Sequence, residues 1–339
     1  MRPLTMRRVV WTCALLSGIL FAVSVMALKL GAVPISVSDL VVSLGRLAIG
    51  RTDQLPLDYR LIVFDLRLPR IVLGALVGAA LSVAGAGFQA LLRNPLADPY
   101  VLGVSSGSAL GAVLALQFLP QIALATPLGA FVGAIATITG VYYLGRRHGQ
   151  LDSTTLLLAG IISASFLSAI IMFLMTTLTS RDVRGMAFWM MGDLSTPLAP
   201  SLRWFFLVAL VVGIGAIYTT SPDLNLLVTG EREAMHLGVD VTRVKLVVYV
   251  AASGLTALAV SASGAIGYVG LLVPHVMRFL FGSDYRLLIP TSALGGAIAL
   301  VLADTLARTI IAPSELPVGA MTAIAGAPLF IYLLRRSMR

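Results

Sequence analysis

The sequence has 339 residues, 58% of them apolar and only 12% charged, with a mean hydropathy of +0.96 and a formal charge of +9. A soluble domain carries about 25% charged residues and must cover itself with polar surface, so this composition excludes an ordinary water-soluble protein and points to lipid as the solvent. The positive excess is almost all arginine, Lys29 and Lys245 being the only lysines, and it sits singly or in pairs at the ends of apolar runs, which excludes a nucleic-acid face.

The first apolar run, near Val9 to Leu30, follows Arg2, Arg7 and Arg8 as a signal peptide would. It is too long for one and no A-x-A-like cleavage site follows, so it reads as a retained helix. Further runs fall near Leu68 to Leu92, Val101 to Leu119, Pro127 to Leu144, Thr155 to Leu178, Leu202 to Thr219, Leu246 to Val260, Tyr268 to Phe281, Leu287 to Ala307 and Val318 to Leu334. Gly264, Gly267, Gly270 and Pro274 interrupt what could be one stretch over 246–281, and the runs alone allow roughly eight to eleven crossings. At roughly 20 residues per crossing, ten would take about 200 residues and leave no room for a separate soluble domain. The expectation is an all-α, polytopic chain, one permease-like domain over 1–339 with a polar segment at about 221–245.

An even number of crossings puts both termini on one side, and the positive-inside rule chooses the cytoplasm. Arg2, Arg7, Arg8, Arg93, Arg146, Arg147, Arg232, Arg243, Lys245, Arg286, Arg335, Arg336 and Arg339 then face inward. Arg46, Arg51, Arg60, Arg67, Arg70, Arg181, Arg184, Arg203 and Arg308 fall outside, against the bias. Small residues at four-residue spacing (Gly74 with Gly78; Gly103, Gly107 and Gly111; Gly129 with Gly133) suit close helix packing in lipid.

The polar stretch Ser221 to Lys245 is longer than the connections of about 2 to 8 residues usual in bundles. Its Gly230-Glu231-Arg232-Glu233-Ala234-Met235-His236-Leu237-Gly238 core reads as a short helix outside the membrane, a docking surface for a cytoplasmic partner. Arg67-Leu68-Pro69-Arg70 reads as the opening of the second helix, proline suiting a first turn where its missing N–H leaves nothing unpaired; by spacing alone its arginines read as interface snorkels. Asp304 and Arg308, four apart, are expected to pair. Gly103-Val104-Ser105-Ser106-Gly107 matches G-x-S-x-G but lacks the strand-to-helix turn and the histidine and acid that a hydrolase needs. His148, His236, His275 and Cys13 are scattered, which argues against a metal site. No phosphate-binding G-x-x-x-x-G-K-[ST] loop occurs, so ATP hydrolysis would belong to another subunit. A proton-coupled secondary transporter of a small hydrophobic solute is the alternative, but it would need a membrane-depth relay of acids or histidines that the sequence does not offer.

Taken together, Arg67-Leu68-Pro69-Arg70, Val77-Gly78-Ala79-Ala80-Leu81, Asn94-Pro95-Leu96-Ala97-Asp98-Pro99, Leu156-Leu157-Leu158-Ala159-Gly160, Trp189-Met190-Met191-Gly192, Gly264-Ala265-Ile266-Gly267-Tyr268-Val269-Gly270-Leu271, Pro274-His275 and Glu315-Leu316-Pro317-Val318-Gly319 resemble the FecCD family of permeases for iron-siderophore, haem and cobalamin import. The resemblance spans Leu66 to Leu334. It implies a homodimer of ten-helix subunits in a bacterial inner membrane, working with two cytoplasmic ABC ATPases that use ATP and Mg, and with a periplasmic or lipid-anchored binding protein. The chain itself would bind no cofactor and catalyse no reaction. It implies a coupling helix around Gly230, Glu231, Arg232, Ala234, Leu237 and Gly238; an inner gate at Asn94, Leu96, Ser153 and Thr154; and docking of the binding protein on Arg67, Arg70 and Arg308. Asp152 and Ser153 read equally well as a plain helix N-cap.

Overall fold

In hydrocarbon a peptide group has no water to bond, so an apolar run must close its hydrogen bonds as a helix. In a computed structural model, which describes residues 5–31, 33, 35, 36, 45, 46, 56–122, 124–147, 150–177, 180–196 and 198–337, all ten runs do so. Among the residues given a side by sequence, Arg2, Arg51, His148 and Arg339 lie outside the described residues, as do the side chains of Arg147, Arg181 and Arg336.

The helices are α1 (Met6–Lys29), α2 (Leu68–Leu91), α3 (Val104–Phe118), α4 (Ala125–Leu144), α5 (Ser153–Met175), α6 (Ser180–Met190), α7 (Pro200–Thr219), α8 (Ser221–Leu227), α9 (Glu231–His236), α10 (Val241–Ser263), α11 (Val269–Phe281), α12 (Tyr285–Ala307) and α13 (Val318–Ser337). Among the described residues, α1, α2 with its preceding turn, α4, α5, α7, α10 and α12 are long and apolar enough to cross a membrane, while α3, α11 and Val318–Ile331 of α13 are shorter apolar helices. One small antiparallel pairing, β1 (Arg146–Arg147) with β2 (Gln150–Leu151), turns the chain between α4 and α5.

Two local features, the first unexpected and the second foreseen from the glycines, have clear causes. Pro69 does sit in the first turn of α2, but the chain is already helical there: a π-helical turn, Leu61–Arg67, runs into α2, and the Leu68 N–H donates to the carbonyl of Val63, five residues back. Such wide turns appear as inserts within helices, and this one lies just before Pro69, which has no N–H to offer. The stretch 246–281 is two helices, because Gly264 (φ 66°) and Tyr268 (φ 69°) sit in the left-handed region and a right-handed helix cannot run through them.

Helix α2 is the hub. Of its apolar window, 78% is buried, against 6% for α1 at the rim. Glycines permit this, since a Cβ on Gly78 would collide with the backbone of Gly296 in α12, and one on Gly85 with the backbone of Gly270 in α11. Gly107 and Gly111 of α3 meet Gly133 and Gly129 of α4 in the same way.

Polar contacts mark the two ends. At one, Arg8 donates to the Phe281 carbonyl at 2.7 Å, Asn225 bonds Asp284 at 2.9 Å, Ser153 bonds the Leu91 carbonyl at 3.2 Å and Lys245 pairs with Glu231. At the other, Arg67 reaches the end of α1, Arg70 pairs with Asp304 and Glu315, and the Gly319 N–H donates to Met191. The transmembrane helices therefore alternate in direction, and α13 starts at the Arg67 end, so both chain termini run toward the Glu231 end.

Candidate functional site

At the Glu231 end, α9 stands on a rigid base. Ala234 has no exposed surface, and the helix closes with the N–H of Gly238 on the Met235 carbonyl and that of Val239 on the Ala234 carbonyl. This is a Schellman cap, and Gly238 supplies its left-handed residue at φ 86°. The next helix, α10, starts on the Asp240 carboxylate, which accepts from the Arg243 N–H at 3.0 Å. Arg232, Met235 and Leu237 project outward, Leu237 with 67% of its surface exposed. An exposed methionine and leucine on a polar segment form a small apolar contact point ringed by charge.

The candidate gate lies beside it. After α2 the chain turns through Arg93 at φ 48°, and the Asn94 side chain accepts from the Leu96 N–H at 2.9 Å, leaving Asn94 and Leu96 exposed. Across from this loop, Asp152 caps α5 by accepting from the Thr155 N–H at 2.8 Å and its hydroxyl at 2.6 Å. Ser153 is not the cap: its hydroxyl crosses to the Leu91 carbonyl of α2, while Thr154 is exposed. Ser153 thus touches the last turn of α2, three residues before Asn94, and ties the segment carrying Ser153 and Thr154 to the one that leads into Asn94 and Leu96. Asp98, on the loop running from them to α3, caps a short turn at Pro99–Leu102, accepting from the Tyr100 N–H at 2.8 Å.

Sequence reasoning missed Lys245 and Arg93, which had been assigned only as inward-facing charges. The Lys245 ammonium, with 6% of its side chain exposed, lies 2.7 Å from the Glu231 carboxylate and donates to the Leu151 carbonyl at 3.0 Å; Arg93 lies 3.7 Å from the same carboxylate. The signal was there: one of only two lysines in a chain that otherwise uses arginine.

At the opposite end the docking candidates differ from expectation. Arg67 and Arg308 are nearly enclosed, at 6% and 5% exposure, so neither snorkels. Arg67 donates to the carbonyls of Leu28 (2.7 Å), Lys29 (3.2 Å) and Val33. Arg308 donates to the Ala27 carbonyl at 2.6 Å, leaving its Nε without a hydrogen bond. The expected Asp304–Arg308 pair is secondary, at 3.6 Å, because Arg70 holds Asp304 through both oxygens at 2.9 and 3.1 Å and reaches Glu315 at 2.7 Å. The three arginines line a cleft of about 290 Å³ with Gly31, Ile62 and Glu315.

The motif segments converge. The Val318 and Gly319 N–H groups donate to the carbonyls of Gly192 and Met191, the Asp193 N–H donates to the Ser263 carbonyl, and the Tyr100 hydroxyl accepts from the Ile266 N–H at 2.9 Å. G-x-S-x-G sits at the start of α3, with Gly107 pressed on α4 as a packing residue. Among the described residues no group of His, Cys, Asp or Glu could hold a metal ion.

Residues 19–336 match the FecCD transport family. The chain is 43% identical over 284 residues to the cobalamin import system permease protein of Halobacterium salinarum, covering 83% of this chain and 75% of that one. It is 42% identical over 283 residues to the hemin transport system permease protein of Yersinia pestis, covering 80% and 82% respectively. A solved chain described as an inward-facing conformation of a transporter assigned to the metal-chelate ABC type superposes with a TM-score of 0.82 at 30% identity, covering 96% of this chain and 99% of that one.

Proposed function

The chain belongs to the FecCD transport family, and from that membership we propose that it is the permease subunit of an ATP-binding-cassette importer for a metal chelate: a ferric siderophore, haem or cobalamin. The observation that carries the reading beyond membership is α9, a fixed polar helix offering Met235 and Leu237 to water beside the candidate gate. That arrangement suits a cytoplasmic ATPase seated on α9. In this reading two copies of the chain form a homodimer in a bacterial inner membrane and two ATPase subunits use ATP and Mg. A periplasmic or lipid-anchored binding protein delivers the ligand, and the path opens alternately to each side. Asn94, Leu96, Ser153 and Thr154 narrow the inner exit.

Arg67, Arg70 and Arg308 receive the binding protein through their cleft, which an acidic side chain must enter, since the guanidinium groups do not stand on the surface. Cobalamin and hemin permeases are nearly equal in identity to this chain, so the ligand stays at the level of its class. The test is reconstitution with the ATPase and binding protein and parallel uptake of haem, a ferric siderophore and cyanocobalamin. Uptake of one of them that requires ATP, Mg and the ATPase is expected. Uptake driven by a proton gradient without the ATPase would overturn the reading in favour of a secondary carrier.

A further inference from the structure

Lys245 makes its two contacts on two separate pieces of the inner face. An ammonium has three donors; here one lies against Glu231 of α9 and another meets the carbonyl of Leu151, immediately ahead of the Asp152 cap and the gate residues Ser153 and Thr154. Glu231 in turn faces Arg93, the residue before Asn94, and the Ser153 hydroxyl joins α5 to the last turn of α2. From this geometry we infer that Lys245 and Glu231 form a joint that carries movement of α9 to both halves of the inner gate, with Lys245 a positioning residue. The inference rests on the proposed roles of α9 and the gate.

The physical reason is that a nearly enclosed ammonium is costly to leave unpaired. If an ATPase draws α9 aside, Glu231 moves, and Lys245 either follows it, pulling on Leu151 and the start of α5, or loses its counter-charge. The Arg93 contact is longer, and Arg93 is 43% exposed, so water and salt loosen it. The link to α5 is therefore the stiff arm and the link to the Asn94 loop the slack one. Removing Lys245 should disable the first without touching Arg232, Met235 or Leu237, the residues that face the partner.

The experiment uses the full chain with its ATPase partner in lipid nanodiscs, in a Cys13→Ser background, with a bimane label on Leu96→Cys or Thr154→Cys. The parent is expected to show an ATP-driven emission shift at both positions. In Lys245→Met, ATP hydrolysis continues, but the shift at the Thr154 position falls by about fivefold or more, the lower end of typical coupling. Lys245→Arg keeps the shift, and Arg93→Gln lowers it at Leu96 more than at Thr154. A parental shift in Lys245→Met overturns the inference. Should that variant not assemble, Glu231→Gln must show the same loss, and a parental shift there overturns it equally. Absence of any shift in the parent removes the gate reading itself and this inference with it, an outcome distinguishable because the parent and not the variant fails.

Discussion

Arg67 shows how much a single side chain can do with backbone alone. The last carbonyls of a helix have no partner within it and attract a cation, and Arg67 supplies donors to Leu28, Lys29 and Val33. Arg67→Ala is expected to destabilise the detergent-solubilised protein by about 1–3 kcal/mol for each carbonyl that stays dry, read as a lower thermal midpoint; an unchanged midpoint would mean that water replaces the guanidinium. That Arg67 lies at the end opposite Glu231 was legible from the charge pattern. Its role was not, because carbonyls some 39 residues upstream leave no mark in the sequence. The neighbouring Arg70 is shared between the buried Asp304 and Glu315, whose side chain is 47% exposed. Glu315→Gln should therefore raise binding-protein affinity at low salt, by up to about fivefold given 0–1 kcal/mol for an exposed pair, with the gain vanishing at high salt; surface plasmon resonance at two ionic strengths reads this directly. At the other end, the Asp284 carboxyl is held low, at about 2, first by its bond to Arg286 and also by Asn225. A depressed carboxyl stabilises the fold above its unfolded value of about 3.9 and loses that contribution as the pH falls toward 2. Asp284→Asn should thus destabilise the protein at pH 7 and make little difference near pH 2, as followed by unfolding at the two pH values.

Helices were the most readable level, because each apolar run needs internal hydrogen bonds and lipid leaves no alternative. Crossings were less readable. The glycine spacing foretold close approach, yet which helices approach depended on register: α3 meets α4 through Gly107, Gly111, Gly129 and Gly133, while Gly78 and Gly85, seven residues apart on α2, press on α12 and α11. Each of these positions has a neighbour's backbone where a side chain would go, and backbone cannot swing aside. Gly78→Val or Gly111→Val should abolish accumulation of monodisperse protein, checked by size-exclusion profile, whereas Gly254→Val, with open space around it, should be tolerated. The short amphipathic helix α6 was not foreseen, since nothing in Ser180–Met190 repeats the long apolar pattern of the spans. Within the expected coupling segment, Ala234 is the buried footing of α9, a role its place in the sequence did not mark.

For the molecule as a whole, the proposed assembly depends on one apolar contact point on an otherwise polar face. Leu237→Glu is expected to abolish co-purification of the ATPase while leaving the permease folded, since Leu237 supports nothing inside the chain; retained association would move the docking surface elsewhere. The division of the two ends was legible in the arginines, whereas the joint at the gate was not, because the stretch carrying Glu231 and Lys245 meets Arg93 and Leu151 from two other places in the sequence. The same is true of α1, which packs little of its surface yet is tied down at both tips: Arg8 to the Phe281 carbonyl at one, and Arg67 and Arg308 to the carbonyls of Ala27, Leu28 and Lys29 at the other. Its 24 residues make a strut of about 36 Å. A free helix meets a thicker or thinner bilayer by tilting, but a strut pinned at both tips cannot tilt without tearing its fastenings. Fastened in this way, α1 meets a change in bilayer thickness together with the bundle it is tied to, and not as an independent helix.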